Sequence, residues 1–177
     1  NDDQKREWEA AGVPAKGRGL RFEEIIEIVQ GLGLGKPFDF HGRDFDLNSA
    51  LMQPVPSQPK GIPFLLGTHY RAQSQAQIRR AARLGAGIIS ISDTPEEFAQ
   101  VIQQVSEKAA EFGRDPAGLE NTFYLTVNME TDLVKAETEA VEWLKGYYGS
   151  DIWGTRWGPF GGAERVVDRI AEYVAAG

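Results

Sequence analysis

Residues 87–98 read Gly87-Ile88-Ile89-Ser90-Ile91-Ser92-Asp93-Thr94-Pro95-Glu96-Glu97-Phe98, and they hold a complete passage from strand to helix. The run from Gly87 to Ser92 is short, apolar and strand-like. Thr94-Pro95-Glu96-Glu97 is a helix start. Threonine can cap, proline has a preset φ at the first helical position, and Glu97 can complete a capping box. Phe98, Val101, Ile102, Val105, Ala109 and Phe112 then recur on one helical face. Gly113 is placed to end that helix.

The same alternation extends in both directions. Upstream, Ile62-Pro63-Phe64-Leu65-Leu66-Gly67 is a short apolar run bounded by glycine. It predicts a buried strand at 62–66, with Pro63 tolerated near its beginning, and a helix at about 72–84. Downstream, residues 122–128 predict a third strand. Val134, Val141, Leu144 and Tyr148 mark a helix, and Val166, Val167, Ile170, Ala171 and Val174 mark the last one. Residues 149–162 are glycine-rich and read as a long loop. Before all of these, Phe22, Ile25, Ile26, Val29 and Leu32 predict an amphipathic helix over 22–32. Residues 38–56 predict a short extended or hairpin insertion that ends in the proline-rich stretch Pro54–Pro59. Strands that alternate with helices imply parallel pairing through right-handed crossovers. Three such strands alone leave both sheet edges unpaired.

Composition limits the functions open to the chain. Of its 177 residues, 41% are hydrophobic and 25% charged, as in an ordinary globular protein. A net charge of −7 repels a phosphate backbone, so nucleic acid is not an expected partner. No apolar run approaches the roughly 20 residues that a bilayer span needs, so neither is a membrane. The absence of cysteine removes thiolate nucleophiles and cysteine-based metal sites. Two histidines without clustered carboxylates do not suggest a metal site of another kind. The absence of cysteine does not fix the compartment; with no signal-peptide pattern at the start, a cytoplasmic protein is expected.

Several stretches, in order, resemble the luciferase-like monooxygenase family. They are Ala11-Gly12-Val13-Pro14 with Gly17-Arg18-Gly19, then His41-Gly42-Arg43-Asp44-Phe45-Asp46-Leu47, then Ile62 to Thr68. Arg79-Arg80-Ala81-Ala82-Arg83-Leu84-Gly85-Ala86-Gly87 and Thr94-Pro95-Glu96-Glu97-Phe98 follow, and then Gly113-Arg114-Asp115-Pro116. Gly158-Pro159-Phe160-Gly161 and Tyr173-Val174-Ala175-Ala176-Gly177 complete the match. The resemblance implies a (β/α)₈ barrel that uses reduced FMN and oxygen to oxidise a small organic substrate. Its variant uses coenzyme F420 for hydride transfer. It also implies that residues 1–177 form a single, incomplete barrel domain holding strands five to seven, with 38–59 as an insertion. Strands one to four would precede Asn1, strand eight would follow Gly177, and this chain alone would be inactive; the alternative to a fragment of an enzyme is a non-catalytic truncated or split-barrel piece. A separate flavin reductase and a homo-oligomer are implied for the complete barrel.

Active sites of such barrels lie at the carboxyl ends of the strands. Gly67, Thr68, His69, Tyr70 and Arg71 stand there after the 62–66 strand. In the family the matching loop holds the cofactor phosphate. Position therefore carries that role to Gly67 and Thr68, with Arg71 as a neighbouring cation; an ordinary strand-to-helix turn is the alternative. His69 has a pKa suited to proton transfer, although a surface or capping histidine is commoner. Ser90 and Ser92 have one hydroxyl candidate for the barrel mouth between them, or are satisfied strand hydroxyls. In the loop 149–162, Trp153, Arg156 and Trp157 match a region that covers substrate in the family. Arg156 and Trp157 are the candidate substrate contacts, against a surface loop packed by its own aromatics. Gly31-Leu32-Gly33-Leu34-Gly35 fails the dinucleotide spacing, because Lys36 stands where a third glycine belongs, and reads as a helix end. Glu23-Glu24 and Glu96-Glu97 read as solvated first-turn charges.

Overall fold

The computed structural model describes residues 2–58, 61–149, 156 and 158–177, and the chain divides into two units, Asn1–Phe64 and Leu65–Gly177. The first unit runs α1 (Asp2–Ala10), α2 (Arg18–Leu32) and an antiparallel hairpin of β1 (Phe38–His41) and β2 (Asp46–Ala50). The hairpin is the insertion expected from the sequence. Helix α2 begins earlier than residue 22, at a left-handed Gly17 with φ 77°. Glycine adopts that conformation at little steric cost. Of the expected apolar face of α2, Ile26 is buried while Phe22 and Ile25 are exposed.

Two features of this unit depend on contacts distant in sequence. A Cβ on Gly31 would lie 2.2 Å from the Phe38 ring, so this glycine, inside α2, lets β1 approach. Glu24 is not a solvated charge. Its Oε1 accepts the Arg43 N–H at 2.7 Å and its Oε2 accepts the Asp44 N–H at 2.9 Å, so the carboxylate holds the hairpin turn. Arg43 closes the network by donating to the Gly17 carbonyl at 3.1 Å.

The second unit is built on three parallel strands, β3 (Leu65–Gly67), β4 (Gly87–Ile91) and β5 (Glu120–Tyr124), side by side in that order. Strand β3 lies later than the expected 62–66. The reason is register: Leu65 faces Gly87, the first residue of β4, so earlier residues have no partner to pair with. Helix α3 (Gln75–Leu84) follows a single 3₁₀ turn at Tyr70–Ala72. It therefore starts after the expected position near 72. Gln73 between them is left-handed, at φ 43°, and Ser74 caps α3 by accepting the Gln77 N–H. Helix α4 (Pro95–Glu111) starts as the sequence predicts, with both arms of the capping box made. Thr94→Ala removes one arm and should lower stability by about 1 kcal/mol in chemical denaturation. A loss near zero would show the cap to be frayed in solution.

The two faces of the sheet are packed unequally, and the less packed one is covered at its carboxyl end, where Ile91 meets the buried cluster of Ala136, Ala140, Leu144 and Phe160. Leu66, Ile88 and Ser90 are buried, and register puts Phe123 beside Ser90 on the same side. Phe98 of α4 meets Phe123 edge-on, with centroids 5.2 Å apart. Tyr173, of α6 (Ala163–Ala176), stacks on Phe123 at 4.0 Å. Alternation turns Leu65, Gly67, Ile89, Thr122 and Tyr124 to the opposite face. Leu65 and Tyr124 are exposed there. That is the face which lines the interior of a closed barrel. Arg114, in the turn after α4, donates to the carbonyls of Ala82 and Gly85, each at 2.6 Å, and so closes the carboxyl end of α3.

The expected strand 122–128 is two strands. After β5 the chain turns away, and β6 (Asn128–Met129) pairs in parallel with β7 (Phe160–Gly161), inside what the sequence reads as a loop. Helix α5 (Leu133–Tyr148) packs on this pair through Ala136, Ala140, Leu144 and Phe160, and that cluster reaches Ile91 at the end of β4.

Candidate functional site

The carboxyl ends of β3 and β4 bring together most of the residues that the sequence singles out. Gly67 is the last residue of β3 and is exposed; a Cβ there would meet nothing within 4 Å. Thr68 is fully buried. Its N–H donates to the Ile89 carbonyl at 3.1 Å and its hydroxyl to the Leu66 carbonyl at 3.1 Å, so both of its donors are used inside the sheet. The open position on this turn is thus Gly67, and Thr68 fixes the backbone beneath it. Arg71 is exposed on the 3₁₀ turn Tyr70–Ala72. The long helix whose dipole favours an anion begins only at Gln75, so Gly67 does not sit at its first turn.

His69 is partly buried, and its Nδ1 is enclosed without a hydrogen-bond partner among the described residues. It borders a cleft of about 300 Å³, lined also by Tyr70, Gln73, Ser74, Ile78 and Val101. Ser90 and Ser92 separate in role. Ser90 is buried and donates to Asp93 Oδ2 at 2.6 Å, whereas Ser92 leaves the strand in the left-handed region, at φ 63°. Asp93 was not legible as a site residue. It is 1% exposed, accepts the Tyr70 N–H at 2.9 Å through the same Oδ2, and receives the Tyr173 hydroxyl on its main-chain carbonyl at 2.6 Å. Burial pushes the Tyr173 phenol up to about 12, so its hydroxyl keeps the proton that it donates to Asp93 at neutral pH. The available signal was an acidic residue between an apolar strand and a helix cap, which by itself is weak.

Arg156 pairs with Glu97 at 2.5 Å, on the carboxylate oxygen that also accepts the Thr94 N–H. The guanidinium is thereby held at the first turn of α4, next to the carboxyl end of β4. Glu97 is a capping and ion-pairing group, not a solvated charge. Trp153 and Trp157 lie outside the described residues. His41 pairs with Asp46 on the exposed hairpin, in the other unit. Among the described residues no group of three or more His, Asp and Glu could hold a metal ion. No described helix is long and apolar enough to cross a membrane.

Residues 3–157 match the sequence model of the luciferase-like monooxygenases. The chain belongs to that family. An uncharacterized protein of Mycobacterium tuberculosis is 40% identical over 108 residues, which cover 61% of this chain and 35% of that protein. The 5,10-methylenetetrahydromethanopterin reductase of Archaeoglobus fulgidus is 25% identical over 75% of this chain and 38% of its own length. Among solved structures, the coenzyme F420 dependent tetrahydromethanopterin reductase from Methanopyrus kandleri superimposes with a TM-score of 0.74. The identity is 18%, and the match covers 98% of this chain and 63% of that one. Monooxygenase RslO1 from Streptomyces bottropensis gives 0.74 at 17% identity, over 97% of this chain and 55% of its own. The family member's fold is therefore α/β, a parallel part of a (β/α)₈ barrel, and the chain spans little more than a third of the curated relatives it matches. The family comprises flavin- or F420-dependent oxidoreductases and monooxygenases.

Proposed function

We propose that this chain supplies the carboxyl-end turns of β3 and β4 to an oxidoreductase that acts on a small organic substrate, with the cofactor's phosphate seated at Gly67. The single observation that carries the reading is the turn itself. Gly67 is exposed and open to approach on the less packed face of the sheet, while Thr68 and Asp93 hold the backbone on either side of it from within. Arg71 is the nearby cation that would answer the phosphate charge. Arg156 and Trp157 are the proposed substrate contacts, and Arg156 would leave Glu97 to meet an anionic group.

When bound, reduced FMN would supply electrons to oxygen, replenished by a separate flavin reductase. The chain's own contribution is positional: Gly67 admits the phosphate, Thr68 keeps the turn rigid, and the sheet excludes water from one side. The second reading is hydride transfer with coenzyme F420. It is favoured by the relative from Archaeoglobus, which is a reductase, and by the structural neighbour from Methanopyrus, which depends on coenzyme F420. We propose that either activity needs a complete barrel containing this chain. The test is oxygen uptake with reduced FMN against anaerobic redox turnover of F420, each in a complete barrel and in the isolated chain. Turnover by the isolated chain, or by neither cofactor in the barrel, would refute the reading.

Gly67→Val separates binding from folding. The φ of Gly67 is not left-handed and its side-chain space is empty, so valine fits the strand. Cofactor affinity should still fall about tenfold or more, roughly 1.4 kcal/mol, because the branched side chain occupies the phosphate's approach. Titration with thermal denaturation as the folding control checks it. Unchanged affinity in the folded variant would remove Gly67 from the site.

A further inference from the structure

We propose that Asp93 is the positioning residue of this site: its buried carboxylate holds the turn from Gly67 to Tyr70 in the shape that receives the cofactor phosphate. The inference rests on the phosphate reading given above and names what sets that turn.

The geometry is specific. Asp93 is 1% exposed, and a carboxylate at that depth needs partners. Two donors converge on its Oδ2, the Ser90 hydroxyl at 2.6 Å and the Tyr70 N–H at 2.9 Å. Its other oxygen, Oδ1, is buried and has no hydrogen-bond partner among the described residues. The main-chain carbonyl of Asp93 takes the Tyr173 hydroxyl at 2.6 Å, which ties α6 to the same point. Left-handed Ser92 turns the chain immediately before Asp93, and Thr94 caps α4 immediately after it.

The consequence falls on β3. Beyond the end of β3, the Thr68 N–H donates to Ile89 and the Tyr70 N–H to Asp93, and these two bonds tie the backbone to the β4 side. The first continues the sheet ladder. The second is the only one of the two made by a side chain, and it joins the turn to a carboxyl group that is itself fixed by Ser90. Gly67 has no side chain of its own with which to fix the turn. Asp93 therefore acts on the cofactor through Tyr70 and does not touch it.

Amide hydrogen exchange tests this on the chain as it stands. In Asp93→Ala the Tyr70 amide should exchange about tenfold faster or more, with the Ile89 and Val105 amides within about threefold of the parent. Asp93→Asn keeps one acceptor oxygen and loses the other, and should fall between alanine and the parent. Ser90→Ala leaves the Tyr70 bond in place and should change the Tyr70 amide little. In a complete barrel, affinity for FMN or F420 should weaken about tenfold in Asp93→Ala and less in Asp93→Asn. If Asp93→Ala does not fold, Asp93→Asn decides: a Tyr70 amide as slow as the parent's overturns the proposal. So does protection lost equally at Ile89, which would mark a purely structural residue. So does a loosened turn with unchanged cofactor affinity. A parent barrel that binds neither cofactor would defeat the phosphate reading itself, while the exchange arm still decides whether Asp93 holds the turn.

Discussion

Gly87→Ala should destabilise the second unit by about 3 kcal/mol or more, the upper end of what forced overpacking does. A Cβ at this position would lie 1.5 Å from the Glu120 carbonyl oxygen and 2.4 Å from its carbon. Both atoms are backbone, so no rotamer change relieves the overlap. The two strands would have to part where they first pair, at Gly87 opposite Glu120, where the Glu120 N–H also donates to the Ala86 carbonyl at 2.9 Å. Urea denaturation followed by circular dichroism measures the loss. A variant within about 1 kcal/mol of the parent would mean that β4 and β5 do not approach in this way.

Phe98→Ala should remove about 3–5 kcal/mol, as large aromatic truncations in a core do. Phe98 is 2% exposed, and its ring lies at the junction of a strand and two helices. It meets Phe123 at 5.2 Å and Tyr173 at 6.3 Å between centroids, both edge-on. The cavity left by alanine would be bordered by Phe123 and Tyr173, which are already stacked on each other and cannot both move into it. Phe98→Leu fills much of the volume and should recover a substantial part of the loss. A Phe98→Ala protein with parental stability would show that the aromatic cluster is not the core of this unit.

What the sequence discloses here is the local chemistry. The start of α4 is legible because Thr94, Pro95 and Glu97 act within one turn, and the structure makes both capping bonds among them. The order and direction of the three strands follow from βα alternation, which restricts topology strongly. Strand ends are less legible, because they depend on a partner. Leu65 begins β3 only because Gly87 begins β4. Residues 122–128 read as one apolar strand, yet Asn128 pairs with Phe160, and a pair of two-residue strands has no periodicity to detect.

The site divides along the same line. Gly67 and Thr68 are candidates in the sequence because the resemblance places a phosphate loop after an apolar run. That Thr68 spends both donors on the sheet, leaving Gly67 as the open position, depends on Ile89 and Leu66. Asp93 reads in sequence as a polar residue in a loop. Only the fold brings the Tyr70 N–H and the Ser90 hydroxyl to its carboxylate. Glu24 and Glu97 looked like helix-dipole charges for a related reason: the Arg43 and Arg156 groups they bind come from distant parts of the chain.

The most direct measurement is a titration of FMN and of F420 into a complete barrel carrying this chain, with nitrogen labelling and amide resonances observed by NMR. The account predicts that one of the two cofactors shifts the Gly67, Thr68, Tyr70 and Arg71 amides most strongly, at the carboxyl end of β3. Shifts confined to other parts of the folded protein, or none with either cofactor, would contradict it.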